Sequence, residues 1–98
     1  MTDHELCLAA AKAAGYLTAT WEGNEAYIAG MMSRWNPLDS DSDAFRLMVD
    51  CGRMDLHCGE NATRAANEFG YFVEPHGTDK HAATRRAIVR AAAAMVKV

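Results

Sequence analysis

Hydrophobic residues recur at helical spacing in three stretches of the chain. Leu6, Ala9, Ala10 and Ala13 share one face of TDHELCLAAAKAAG, which predicts a first helix. Thr2 stands where a cap is needed, Glu5 follows three residues on, and Gly15 is a natural stop. Ala44, Leu47, Met48 and Cys51 keep i, i+3, i+4, i+7 order and predict a second helix over about 41–51, closed by Gly52. The longest periodic stretch is TDKHAATRRAIVRAAAAMVKV, which Thr78 or Asp79 can cap. At about 100° per residue, its Thr84, Ile88, Val89, Ala91, Ala92, Met95 and Val96 fall on one broad apolar arc. Arg86, Arg90 and Lys97 gather on the opposite side, within roughly 40° of one another. Arg85 projects into the apolar arc instead. An unpaired buried charge is costly, so Arg85 should meet a carboxylate or a carbonyl, from the sheet or from the loop over 35–43.

Between these stretches the period changes to two. YLTATW and AYIAG alternate, with EGNE as a turn, and predict a hairpin over 16–21 and 26–30. Leu17, Ala19 and Trp21 would share one face, and Thr18 and Thr20 the other. MMSRWNP reads as a loop, because Pro37 holds Asn36 in an extended conformation. RMDLHCGE puts Met54, Leu56 and Cys58 on one side of a strand and Asp55 and His57 on the other. YFVEP is a strand that Pro75 closes. Two readings of 61–69 compete: local propensity favours a short helix ending near Gly70, and pairing with the neighbouring segments favours a strand. The order α-β-β-α-β-(β)-β-α describes an α+β fold, an antiparallel sheet of about four or five strands covered by three helices, in a single domain over 1–98.

Composition adds little to that picture and removes several function classes. Half of the 98 residues are hydrophobic and 23% are charged, as in ordinary globular proteins. No apolar run approaches the ~18 residues that would suggest a membrane span. The start MTDHELCLAA lacks a basic region and a cleavage site, and the three cysteines are an odd number. Cys7, Cys51 and Cys58 are therefore expected to be reduced thiols in a cytosol. The net charge of −3 is unevenly spread: residues 1–79 carry 13 acidic and five basic side chains, whereas residues 80–98 carry five basic ones and no acid. Such asymmetry can mark a nucleic-acid surface. The plainer reading is a basic segment lying against its acidic neighbours.

Four kinds of chemistry bear on the residues present. Asp39, Asp41 and Asp43 occupy the first, third and fifth positions of a calcium-loop pattern, but Ala44 stands where that loop needs glycine and Asp50 where it needs glutamate. Ser40 capping a helix, with Asp43 three residues on and acidic side chains in the first turn, explains the same residues better. Cys51, His57, Cys58 and His76 could ligate zinc, but no paired-cysteine spacing is present, and His57 and Cys58 would point to opposite faces of a strand. No motif marks a nucleophile beside a base, so nothing points to an enzyme, and no cofactor is implied. Arg86, Arg90 and Lys97 could touch phosphates, but without interleaved aromatic residues they read more simply as a solvated helix face.

The segments WNPLDSDSDAFRLMVDCG and AATRRAIVRAAAAM, with MTDHELCLAAAKAAG before them, resemble the small phage and prophage proteins of the phage ABA sandwich domain family. The resemblance touches roughly half the chain; the hairpin and residues 53–77 carry no signature. It implies a small α+β domain encoded by a phage or prophage, with no activity to carry over. It also implies structural roles: Trp35 plugging the core, Asn36, Pro37 and Leu38 forming the turn, Ser40 and Asp43 starting the helix. On this analogy 61–69 belongs to a β-meander. The expected function is an accessory binding or interaction module in a bacterial host cytosol, with a protein partner or self-association open and no membrane contact. Alternatives are a weak nucleic-acid-binding protein using the last helix, and a small enzyme or metal-binding protein without a visible motif.

Overall fold

The computed structural model describes residues 2–16, 18–22, 25–28 and 34–95. Among them are three helices and six strands: α1 (Asp3–Ala14), β1 (Thr18–Glu22), β2 (Glu25–Ile28), β3 (Arg34–Trp35), α2 (Asp41–Cys51), β4 (Asp55–Cys58), β5 (Ala62–Asn67), β6 (Gly70–Pro75) and α3 (Lys80–Ala93). The α+β class and element order follow the sequence reading. The strands, however, form two three-stranded antiparallel sheets, β1-β2-β3 and β4-β5-β6, rather than one larger sheet. The extra strand comes from the end of MMSRWNP, where Arg34 and Trp35 pair with Tyr27 and Ala26. Gly23, Asn24, Ala29 to Ser33 and the faces assigned to Leu17–Trp21 lie outside the described residues and side chains.

Each helix starts where its local chemistry dictates. Thr2 Oγ1 accepts the Glu5 N–H, and Glu5 returns a carboxylate to the Thr2 N–H, both at 3.1 Å. These bonds to Thr2 hold the Glu5 carboxyl below its usual value. Gly15, at φ 81°, ends α1 in a left-handed conformation that glycine adopts without a Cβ clash. Ser40 caps α2 through the Asp43 N–H, and Asp79, rather than Thr78, caps α3 through the Ala82 N–H. That backbone bond lowers the Asp79 carboxyl from its ordinary value.

Residues 62–67 form the central strand β5, so the helix reading from propensity is corrected. An isolated six-residue helix gains too few hydrogen bonds to offset nucleation. As a strand the segment pairs on both sides, Leu56 with Ala65 and Ala65 with Phe72 among them. Its alternation is hidden by small residues: Thr63 and Ala65 are fully buried, while Arg64 between them is exposed.

Helix α3 is the centre of the molecule. Ile88, Val89, Ala92 and Ala93 pack with Leu6, Cys7, Ala10, Trp35, Ala44 and Leu47 from α1, β3 and α2. Ala87 and Ala91, outside the predicted apolar arc or at its edge, pack on Ala65 of the second sheet. Buried positions thus encircle α3 except along Arg86 and Arg90, which is why alanine dominates it: a helix buried on nearly all sides needs small residues for close approach. Trp35 is completely buried, with the Tyr16 ring edge-on at 5.5 Å. Both fill the space that the alanines of α1 leave.

Candidate functional site

The turn that precedes α2 sets the geometry around it. Pro37 is fully buried, and Asn36 Oδ1 accepts the Leu38 N–H at 3.2 Å. The Asn36 carbonyl accepts from the Asp39 and Ser40 N–H groups at 3.2 and 2.9 Å. Asp43 reaches past Ser40, so that its Oδ2 accepts the Asn36 N–H at 2.9 Å. The expected capping partnership is therefore extended: Ser40 caps the helix and Asp43 ties the helix to the turn.

Arg85 joins α3 to this turn, as its place in the apolar arc requires. Its Nε donates to Leu38 O at 2.8 Å and its Nη1 to Asp41 Oδ1 at 2.6 Å. The side chain is 14% exposed and its carboxylate partner 69%. Asp41 Oδ2 also lies 4.0 Å from His81 Nδ1. Two of the three loop aspartates thus have structural partners. Among the described residues, no group of three or more His, Cys, Asp and Glu is arranged to hold a metal ion.

The basic stripe is not a free row of cations. Arg86 donates to Asp3 at 2.8 Å, and Arg90 donates to Glu74 and to Val73 O while its guanidinium lies 5.7 Å from the Phe72 ring centroid. Lys97 lies outside the described residues. The reading of Arg86 and Arg90 as a solvated face is corrected accordingly: they seal the seams between α3 and its acidic neighbours. Three of the five basic residues of 80–98 are paired within the fold, as the plainer reading of the charge pattern expects, since Arg85, Arg86 and Arg90 each meet an acid from the first 79 residues.

A cleft of about 500 Å³ opens beside the Arg85 anchor, between α2, the first half of α3 and the end of β4. Helix α2 lines it with Asp41, Ala44, Phe45 and Met48, one helical stripe at i, i+3, i+4, i+7. Helix α3 contributes Lys80, His81, Thr84, Arg85 and Ile88 from the facing stripe. Leu56, Cys58 and Gly59 form the third wall, with His76 at the corner. Phe45 is 62% exposed at the mouth.

Hydrogen bonds fix the corner. His76 Nδ1 lies 3.2 Å from Glu60 O, and a carbonyl can only accept, so Nδ1 donates. Nε2 lies 2.8 Å from the hydroxyl oxygen of fully buried Thr63. Thr84 Oγ1 stands 2.8 Å from both Thr63 Oγ1 and Lys80 O. Both ring nitrogens of His76 are engaged, which leaves it poorly placed to act as a base for Cys58. Burial pushes the Cys7 and Cys51 thiols up to about 11. Cys58 is the exposed thiol and the one that lines the cleft.

A second surface goes beyond the candidate residues that the sequence singles out. On the outer face of β4-β5-β6, Tyr71 is 73% exposed, Val73 is exposed beside it, and Arg64 stacks 5.4 Å from the Tyr71 ring centroid. The alternation of YFVEP signals it, because Phe72 and Glu74 turn to α3 and must send Tyr71 and Val73 outward. No helix among the described residues is long and apolar enough to cross a membrane. A comparison with known protein families, curated proteins and solved structures finds no match for the chain.

Proposed function

We propose that the protein is a small binding module, an accessory protein of phage or prophage origin working in a bacterial cytosol, and that the cleft between α2 and α3 is where it binds. The observation that carries this reading is the cleft: about 500 Å³, walled by apolar side chains, with a few polar groups converging from two helices and a strand. Its volume lies within the range of small-molecule sites, roughly 300–1,000 Å³, and its lining follows the same rule of apolar walls and few polar groups. Phe45 lies exposed at the mouth, where a ligand in the cleft would cover its ring.

His76 offers Cys58 no free base, because both of its ring nitrogens are held within the protein. Nucleic-acid binding through α3 is less favoured, because Arg86 and Arg90 already hold carboxylates. The phage origin is supported by the three resembling segments alone, and the cytosolic placement by the free thiols of Cys7, Cys51 and Cys58. Neighbouring phage genes would support the origin, and a locus without them would contradict it.

The binding claim is tested by ligand-observed NMR with a mixture of anionic, cationic and neutral fragments. Cys58→Trp fills the cleft from an exposed position and should leave the core intact. Wild-type protein is expected to bind fragments that this variant loses. Equal binding by both proteins, or none by either, would sink the reading.

A further inference from the structure

We propose that the cleft takes a short- to medium-chain aliphatic carboxylate, its chain against Phe45, Met48, Leu56 and Ile88 and its head group at Lys80 and Arg85. This rests on reading the cleft as the binding site and names what enters it. The two halves of the ligand answer two halves of the lining. Ala44, Phe45, Met48, Leu56 and Ile88 offer an apolar wall that gains from covering by another apolar group. The volume of about 500 Å³ is that of roughly 15 waters, which accommodates the heavy atoms of octanoate.

The polar half decides the sign of the head group. Lys80 and Arg85 bring two positive charges to the cleft and Asp41 one negative charge. Asp41 is committed to Arg85 at 2.6 Å and faces His81 at 4.0 Å, so it offers little to a ligand cation. The balance is one positive charge, in a chain whose net charge is −3. That suits a single carboxylate better than a doubly charged phosphate. Arg85 uses Nε and one Nη1 donor within the protein, and its guanidinium, held by Leu38 O, keeps three further N–H donors. Lys80 is exposed at the rim and His81 and Thr84 add polar atoms near it. The anchor that ties α3 to the turn therefore also presents a pre-positioned cation.

Cys58 supplies the readout. Its exposed thiol lines the cleft, whereas Cys7 is buried and Cys51 is half-buried with its thiol pushed up to about 11, so both serve as slow internal references. Alkylation of Cys58 by iodoacetamide is followed by mass spectrometry with butanoate, hexanoate and octanoate, and with octanol and octylamine as controls. The carboxylates should slow Cys58 alkylation, with affinity rising about fourfold per added methylene. Lys80→Glu, at an exposed position, should weaken octanoate about fivefold or more and leave octanol unchanged. Protection by octylamine or octanol equal to that by octanoate would overturn the proposal while leaving the cleft as a binding site. So would an absence of protection by any carboxylate alongside fragments that bind wild type and are lost in Cys58→Trp. If no fragment binds the cleft either, both readings fall together.

Discussion

Replacing Arg85 with methionine tests how α3 is held to the turn before α2. Methionine keeps most of the apolar stem and removes only the guanidinium. Two interactions go. The bond from Nε to Leu38 O at 2.8 Å involves a charged donor on a side chain that is only 14% exposed, and such bonds contribute about 1.5–3 kcal/mol. The Asp41 pair adds little, at most about 0.5–1 kcal/mol, because that carboxylate is 69% exposed. Arg85→Met should therefore cost about 2–3 kcal/mol. In a chain of this size each kcal/mol lowers Tm by roughly 4–8 °C, so the fall should be about 10–20 °C. Arg86→Met is the control. Its ion pair with Asp3 is 39% and 44% exposed on its two sides, and its loss should cost no more than about 1 kcal/mol. Asp41→Asn should cost less still. Urea unfolding of the three variants measures the order directly. Equal costs for Arg85→Met and Arg86→Met would refute the reasoning, because burial and the carbonyl bond are all that separate the two arginines.

Trp35→Ala should cost about 3–5 kcal/mol in denaturant unfolding, since the ring is fully buried and braced by Tyr16. Thr63→Val keeps shape but strips the hydroxyl between His76 and Thr84; about 1–2 kcal/mol should be lost in the same assay, and the His76 ring resonances should move. Alkaline stability follows from the two raised thiols. In the unfolded chain Cys7 and Cys51 ionise near 9, whereas in the folded protein burial holds both protonated up to about 11. The folded state binds more protons in that window, so stability is complete below pH 9 and falls as pH rises from 9 to 11. Tyr16, raised by burial and by its bond to Asp50, extends the loss above pH 10. Cys7→Ala should flatten the decline between pH 9 and 11, measured as unfolding free energy at stepped pH; an unchanged slope would contradict the assignment.

The three helices were legible because each carries its own punctuation. Thr2 with Glu5, Ser40 with Gly52, and Asp79 are local signals, and local signals survive folding. Arg85 was legible for a different reason, as a charge on an apolar face has few affordable surroundings. The strand at 62–67 stayed one of two readings because its inward residues are Thr63 and Ala65, which show no hydrophobic alternation. Its inward face is small because α3 presents Ala87 and Ala91 to it, a fact of packing and not of the segment itself. The division into two sheets was equally unreadable, since pairing between distant strands leaves no mark on either. Of the cleft, the α2 and α3 stripes could be drawn from helical spacing. That they face each other around Cys58 and His76 depends on the crossing of elements remote in sequence. That the basic segment lies against acidic neighbours was legible in the charge pattern, but the partners of Arg86 and Arg90 were not, as Asp3 and Glu74 lie on other elements.

The central claim, that the protein binds small ligands between α2 and α3, is tested most directly by mapping amide shifts on isotopically labelled protein during an octanoate titration. Saturable shifts should concentrate at Phe45, Met48, Cys58, Lys80 and Thr84, with Tyr71 and Val73 on the outer sheet face unmoved. Shifts confined to Tyr71 and Val73, or a spectrum unchanged at millimolar octanoate and by every fragment tried, would contradict it.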